Sequence, residues 1–258
     1  MAVLTKLVRQ HRKPWMQVDL YGGHPQMIND EQVMFNSIDT AVSMGAHRNK
    51  VCVLVPASGH GSDHFQKLVS ASGTKTIEDR IWADAAWTTD PHTAIVVPTA
   101  DCQTIVVKNL ATGMLVVAHG GKPAMTPGHL REGVGWNIVD LCIAKAAENS
   151  DPGNLMIYVS GTIRGYNYWH EKPGARPSME PFLDFYGEEV FFGDPNNGRL
   201  DLFSVTQTVA RRWRVPKGNV ASDGLCTFDH PALASFRCPS KSDEERNIDI
   251  AVNRKVLR

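Results

Sequence analysis

Residues 99–121 read TADCQTIVVKNLATGMLVVAHGG, and this stretch decides the fold that we predict. Two runs rich in β-branched residues, Thr104 to Val107 and Met114 to Ala118, flank a connection, Lys108 to Gly113, that contains Asn and Gly. Such a pattern is typical of a β-hairpin. A hairpin in the middle of the chain favours a mixed sheet over a doubly wound parallel one.

The hairpin also predicts a pair of reactive side chains. If its strands pair symmetrically about the connection, Ile105 lies opposite Val116, and the same register places Cys102 opposite His119. Directly opposed residues have Cβ atoms about 4.5 to 5.5 Å apart. A thiol and an imidazole would then be close enough to share a proton or to bind one metal ion.

Three interpretations of this pair remain open. In a Cys/His dyad, His119 acts as the base that activates Cys102 as a nucleophile. In a metal site, the two residues are joined by a third ligand, and His60, in a Gly-flanked loop after a predicted strand, is the natural candidate. In the third interpretation, Cys102 is a buried small side chain and His119 a structural histidine. Asp101 is expected to make a structural hydrogen bond.

Helices and strands alternate irregularly outside the hairpin. Apolar periodicity predicts helices over Asp30–Met44, about Leu130–Ala147 and Asp201–Trp213, and short apolar runs predict strands at Val51–Val55, Ala94–Val97, Leu155–Val159 and Val220–Ser222. The Pro- and Gly-rich region from Gly161 to Gly198 is expected to form ordered loops. We therefore predict a mixed α+β class and one domain over residues 1–258, a mixed sheet with flanking helices.

Composition excludes several classes of protein. The 258 residues include 27 Lys+Arg and 27 Asp+Glu, so the chain lacks the basic character of proteins that bind nucleic acid or anionic membranes through phosphates. No segment approaches the roughly 18 apolar residues that a membrane helix needs, and the N-terminus does not resemble a secretory signal. The five cysteines include no C-x-x-C pair, which argues against a disulfide framework. A cytoplasmic location, with neither nucleic acid nor membrane as a partner, is expected.

Several motifs resemble those of the laccase-domain family, also called multicopper polyphenol oxidase-like proteins, peptidoglycan editing factors or purine nucleoside phosphorylases. The resemblance covers nearly the whole chain in order. Its central segments are Ser58-Gly59-His60-Gly61, Ala83-Asp84-Ala85, Thr99-Ala100-Asp101-Cys102 and His119-Gly120-Gly121-Lys122-Pro123. Its later segments are Ser160-Gly161-Thr162-Ile163, Asp201-Leu202, Gly224-Leu225-Cys226-Thr227 and Ser235-Phe236-Arg237, followed by Arg246.

The resemblance implies a fold of the laccase-domain type, which is similar to that of cysteine hydrolases of the cytotoxic necrotizing factor kind. It also implies a metal site, usually zinc, made here by His60, Cys102 and His119, with copper disfavoured because ligands for more than one site are not found. The implied reaction is phosphorolysis of purine nucleosides, with adenosine deamination alongside. Its substrates would be a purine nucleoside and phosphate.

The chain departs from the family pattern where phosphate would be held. The family has Trp-Arg after its His-Ala-Gly, whereas Lys122-Pro123 stands here, so a point charge replaces a bidentate guanidinium. Lys122, Arg164 and His170 are the candidate substrate-binding residues. Because of this departure, a metal-free Cys/His hydrolase and a catalytically silent binding homologue remain alternatives.

Overall fold

Two six-stranded sheets pack against each other in the computed structural model, and helices cover their outer faces. The structure describes residues 4, 6–25, 31–56, 68–72, 80–128, 136–168, 179–195, 199–242 and 244–255. The mixed α+β class is confirmed. The strands form two mixed sheets, however, where we predicted one.

The strands found in these residues are β1 Leu7–Lys13, β2 Met16–Pro25, β3 Val51–Val55, β4 Leu68–Ser70, β5 Arg80–Trp82, β6 Ala85–Thr88, β7 Ala94–Thr99, β8 Gln103–Asn109, β9 Leu115–Gly120, β10 Leu155–Ser160, β11 Val220–Ser222 and β12 Glu245–Asn253. The α-helices are α1 Glu31–Ser43, α2 Lys122–Met125, α3 Ile138–Ala146, α4 Glu180–Tyr186 and α5 Leu202–Arg212.

Both sheets mix parallel and antiparallel pairs. The first sheet has the order β1-β2-β12-β7-β3-β5, and β3 runs parallel to both of its neighbours. The second has the order β11-β10-β8-β9-β6-β4, in which β10/β11 and β4/β6 are the parallel pairs. The hairpin of β8 and β9 therefore lies at the centre of the second sheet.

The central strands are covered on both faces. Every residue of β7, β8 and β9 is buried. Side chains from both sheets share one apolar layer, helix α1 packs on the outer face of the first sheet, and α3 and α5 pack on that of the second. Burial on both faces explains why these strands read as continuous apolar runs in the sequence.

The register of the hairpin differs from our prediction by two residues. Val107 pairs with Val116, so His119 lies opposite Thr104 and not opposite Cys102. Because side chains alternate between the two faces of a strand, a two-residue shift keeps each of them on its predicted face. Cys102 and His119 are therefore diagonal neighbours on the inner face, if the alternation of β8 is continued by one residue.

Asn109 explains the shift. Its side-chain oxygen accepts hydrogen bonds from the N–H groups of Ala111 and Thr112, at 2.8 and 3.0 Å. Its carbonyl oxygen accepts one from the N–H of Gly113, which has a φ of 78°. These bonds fold the chain directly after Asn109, so β8 runs two residues further than we predicted and the connection is shorter.

Polar groups are buried between the two sheets. The Thr104 hydroxyl donates to Asp249 Oδ2 at 2.7 Å, and both residues are buried. Lys108 is fully buried, and its Nζ donates to the carbonyl oxygen of Gly113 at 2.8 Å and to the side-chain oxygen of Asn253. These bonds join the hairpin to β12 in the other sheet.

Most predicted elements are confirmed, with three corrections. Helix α3 begins at Ile138, where the Asn137 side chain caps it, and not near Leu130; residues 129–135 lie outside the described part. The Gly161 to Gly198 region contains helix α4 as well as loops. Strands β1, β2, β4, β5, β6 and β12 were not predicted.

No helix in the described part of the chain has the length and apolar character that crossing a membrane requires.

Candidate functional site

Cys102 lies in the turn that carries the chain from β7 in the first sheet to β8 in the second. The residue before it, Asp101, has a φ of 73°, a left-handed conformation that is unusual for a residue with a side chain. Its carboxylate accepts hydrogen bonds from the Thr227 hydroxyl at 2.7 Å and from the backbone N–H of Arg237 at 2.9 Å. The predicted structural role of Asp101 is thus confirmed, and it fixes the turn that presents Cys102.

His119 occupies β9 between β8 and β6. Its backbone N–H donates to the carbonyl oxygen of Asp84 at 2.7 Å, and its Nδ1 lies 3.7 Å from Asp84 Oδ1. Both side chains are buried, and Asp84 is fully so. Asp84 belongs to the Ala-Asp-Ala motif of the sequence, but sequence reasoning gave it no role; a carboxylate just before a β-strand was the only signal.

Cys102 and His119 interact directly. Burial lowers the pKa of His119, but the negative charge of Cys102 and hydrogen bonds from His119 to Asp84 and Cys102 outweigh it, and the pKa rises to about 10. Cys102 is itself partly exposed. The arrangement therefore holds a sulfur that solvent can reach against a buried imidazole with a carboxylate behind it.

Tyr168 lies close enough to Cys102 for their charges to interact, and it contacts Arg237. The guanidinium carbon of Arg237 lies 4.6 Å from the centre of the Tyr168 ring, and the guanidinium also hydrogen-bonds to the phenolic oxygen. Burial raises the pKa of Tyr168, as does the negative charge of Cys102, whereas Arg237 lowers it. The sequence placed Arg237 in a matching Ser-Phe-Arg segment without a function, and the spacing of 135 residues from Cys102 could not reveal their proximity.

Lys122 begins helix α2, three residues after His119. Burial and the charge of Arg237 lower its pKa to about 8. The charges of Lys122 and Arg237 therefore interact in the fold.

Arg164, a predicted substrate-binding residue, contacts residues that connect two elements of the fold. Its guanidinium lies 3.4 Å from Asp201 Oδ2 and 5.4 Å from the centre of the Phe203 ring, and its backbone N–H points to Cys226 Sγ at 3.5 Å. These contacts attach the loop after β10 to the start of α5. A direct role in substrate binding stays a prediction.

His60 and His170 lie outside the described residues. The chain enters the segment that contains His60 from the end of β3, where Val55 pairs with Trp82 and its carbonyl oxygen accepts from the N–H of Ala83 at 3.2 Å. Ala83 directly precedes Asp84, so the end of β3 lies next to the chain that carries Asp84.

Cys102 and His119 are donors of the kind that a metal ion requires. Within the described ranges, no group of three or more His, Cys, Asp or Glu side chains is arranged to hold a metal ion. Cys102 and His119 nevertheless fit two positions of a zinc site, because thiolate and imidazole are both zinc ligands. A histidine that binds a metal through one ring nitrogen usually pairs its other ring nitrogen with a carboxylate. Asp84 lies near Nδ1 of His119 in this way.

Comparisons with known proteins agree on the fold. A family model described as multi-copper polyphenol oxidoreductase laccase matches residues 14–246. The hypothetical protein YfiH of Bacillus licheniformis is 15% identical, with a TM-score of 0.70 over 94% of this chain and 97% of that one. A Neisseria meningitidis protein described under the DUF152 family is 18% identical, with a TM-score of 0.70 over 97% of this chain and 100% of that one.

The protein YlmD of Geobacillus stearothermophilus is similar in the same way, with 15% identity and a TM-score of 0.70 over 97% of this chain and 100% of that one. At these identities the structural likeness supports the fold alone. No curated protein matches the sequence significantly.

Proposed function

The chain belongs to the multi-copper polyphenol oxidoreductase laccase family, and on that premise we propose that it is a zinc-dependent purine nucleoside phosphorylase with adenosine deaminase-like activity. The observation that carries the proposal is the contact between Cys102 and His119 on the inner face of the second sheet, with Asp84 paired to His119. Lys122, three residues after His119, and Arg237, whose charge acts on Lys122, would supply the positive charge that a phosphate substrate requires.

We propose that His60, Cys102 and His119 hold the metal. Asp84 pairs with Nδ1 of His119, which leaves Nε2 as the ring nitrogen for a metal ion. Supporting the choice of His60 is the described end of β3, five residues earlier in the chain, where Val55 bonds to Ala83, the neighbour of Asp84. A zinc ion with three protein ligands supplies a Lewis acid at its open position.

The protein groups would bind and orient the reactants. In phosphorolysis, a phosphate oxygen forms a bond to C1′ of the ribose as the C–N bond to the purine breaks, and the purine leaves with the bonding electrons. The phosphate must therefore be held at a fixed place while its charge is balanced. Lys122 serves that purpose, and Arg164 and His170 stay candidates for contacts to the nucleoside.

A Cys102→Ala variant tests the proposal. We expect it to lose both bound zinc and turnover of adenosine or inosine with phosphate, measured by elemental analysis and by chromatography of the released base. Cys142→Ala is the matched control, because Cys142 is a buried cysteine of α3 that packs in the core between this helix and the second sheet, outside the proposed site. Unchanged zinc content in Cys102→Ala would refute the site, and oxygen consumption with a phenol in place of nucleoside cleavage would refute the reaction.

A metal-free Cys/His hydrolase is the second candidate. It is favoured by the chain of contacts from Cys102 to His119 and from His119 to Asp84. In such an arrangement Cys102 is the nucleophile, His119 the base, and Asp84 the residue that orients the base. For this alternative, iodoacetamide should abolish activity, whereas removal of metal by a chelator should leave it unchanged. If the protein binds zinc stoichiometrically and turns over no nucleoside, the catalytically silent homologue is favoured instead.

A further inference from the structure

Phe236 is an exposed aromatic residue on a segment that is bonded to the turn before Cys102. It is 65% exposed, the largest fraction among the large apolar residues of the described ranges. The next residue, Arg237, donates its backbone N–H to Asp101 Oδ2 at 2.9 Å, and Asp101 directly precedes Cys102. This bond and standard backbone dimensions keep the Cα atoms of Phe236 and Cys102 within about 13 Å of each other. One purine nucleoside and the Phe236 side chain can together cover that span.

The segment that carries Phe236 is fixed on both sides of this residue. The Asn247 side chain, in β12, accepts from the backbone N–H of Ala234 at 2.7 Å and donates to the carbonyl oxygen of Ala234 at 3.0 Å. Asp101 holds the backbone of Arg237 on the other side. Loop residues that a rigid scaffold positions in this way are typical of binding sites. The exposure of Phe236 is therefore a property of a well-anchored backbone.

A second segment bonded to Asp101 also carries exposed aromatic rings. The Asp101 carbonyl oxygen accepts from the backbone N–H of Ile163 at 2.9 Å. Three residues later, Tyr166 is 40% exposed, and its ring centre lies 5.7 Å from that of Phe192, which is 48% exposed. Aromatic side chains are prominent in the lining of small-molecule sites. Both segments that Asp101 anchors thus carry aromatic rings that solvent can reach.

We propose that Phe236 stacks on the purine base of a nucleoside whose ribose lies at the Cys102/His119 pair. The inference rests on the proposed function, and it adds the residue that contacts the base. Every base has a π-face on which an aromatic ring can stack. A phenyl ring has no hydrogen-bonding group, so Phe236 contributes through contact between the ring faces alone.

Direct binding tests the inference without any turnover. Isothermal titration calorimetry would measure adenosine in one arm and free adenine in the other, with the unmodified protein and the Phe236 variants. We expect Phe236→Ala to weaken binding of both ligands about 5- to 150-fold, the range for removal of an aromatic ring that stacks on a base. Phe236→Leu should also weaken it, because leucine is apolar but has no ring, whereas Phe236→Trp should retain it.

Phe35→Ala is the matched control. Phe35 is an exposed phenylalanine of α1, the helix that covers the outer face of the first sheet, so its removal should leave the affinity for both ligands unchanged. Urea unfolding should give nearly the same stability for all the variants, because replacement of an exposed side chain changes stability little. A loss of affinity in Phe236→Ala then reports a lost contact with the ligand.

Three results would overturn the assignment of Phe236. The first is unchanged binding of adenosine in Phe236→Ala, or no binding of adenosine and adenine to the unmodified protein. The second is weaker binding of adenosine with unchanged binding of adenine, which would place the contact at the ribose. The third is a dimer that Phe236→Ala dissociates in sedimentation velocity without a change in adenosine affinity, which would assign Phe236 to an interface between copies of the chain.

Failure of this inference and failure of the proposed function give different results. Turnover of adenosine with phosphate at an unchanged KM in Phe236→Ala would refute the stacking and leave the reaction standing. Adenosine binding that depends on Phe236, together with a lack of turnover, would refute the reaction and leave the stacking residue standing.

Discussion

Asp249→Asn should change how the stability of the protein depends on pH. Asp249 is buried between the two sheets, where Oδ2 accepts from the Thr104 hydroxyl. Burial raises the pKa of its carboxyl group from 3.8 to about 7, hydrogen bonds from Ser160 and Thr104 lower it, and the charge of Asp223 raises it further. The folded protein therefore keeps a proton that the unfolded chain releases.

The sign and size of the effect follow from this difference. Between pH 3.8 and about pH 7 the folded state binds one more proton than the unfolded state at this group, so the free energy of unfolding falls as the pH rises. At about 1.4 kcal/mol per pKa unit, the loss amounts to roughly 4 kcal/mol as an upper bound. An asparagine can still accept from Thr104 but cannot ionise. Its amide N–H₂ costs about 1 to 3 kcal/mol at all pH values if it lacks an acceptor.

Urea unfolding of both proteins, followed by circular dichroism between about pH 5 and pH 8, measures the difference. We expect Asp249→Asn to be less stable than the unmodified protein at the acidic end. Towards the alkaline end, its free energy of unfolding should rise relative to that of the unmodified protein by a few kcal/mol. Asp90→Asn, on the surface near β7, should show no such trend. Parallel stability curves for Asp249→Asn and the unmodified protein would refute the reasoning, because they would mean that Asp249 ionises normally in the fold.

Three further predictions concern the site and the hairpin. Asp84→Asn should weaken zinc binding about 10- to 100-fold in a chelator competition, because His119 loses the carboxylate at Nδ1; an unchanged affinity would contradict this role. Sulfate, which is a dianion on both sides of pH 8, should bind less tightly as the pH rises through about 8, because Lys122 then loses its proton. Lys122→Arg should remove this pH dependence. An equal pH dependence of sulfate binding in both proteins would contradict the role of Lys122. Asn109→Ala should lower the free energy of unfolding, measured by urea unfolding, by about 2 to 3 kcal/mol. The reason is that two backbone N–H groups and the carbonyl oxygen of Ala146 lose their hydrogen-bond partner. A loss below about 0.5 kcal/mol would show that the turn forms without the Asn109 side chain.

The hairpin shows how far sequence reasoning reached. The two apolar runs predicted both strands and the shared face of Cys102 and His119. The register was wrong by two residues because it depends on hydrogen bonds from the Asn109 side chain, which a symmetric pairing rule does not include. Since the error was an even number, Cys102 and His119 still lie on the same face and interact, as predicted.

Strand β12 shows what the pattern concealed. Ile248, Ile250 and Val252 alternate with Asn247, Asp249, Ala251 and Asn253, mostly polar residues, in the manner of a half-exposed strand. Asp249 on the other face is nevertheless buried against the second sheet. Sequence patterns assign polar residues to the solvent, so the second sheet of the fold was not anticipated. The contact of Arg237 with Asp101 was missed for a related reason, because only the tertiary structure brings these two residues together.

The central claim is that one zinc ion is held by His60, Cys102 and His119. X-ray absorption spectroscopy at the zinc edge of the purified protein tests it most directly, with Cys102→Ser measured in parallel. We predict one sulfur at about 2.3 Å and two imidazole nitrogens at about 2.0 Å in the unmodified protein, and no sulfur in the variant. A zinc shell without sulfur in the unmodified protein, or with the same sulfur in Cys102→Ser, would contradict the account.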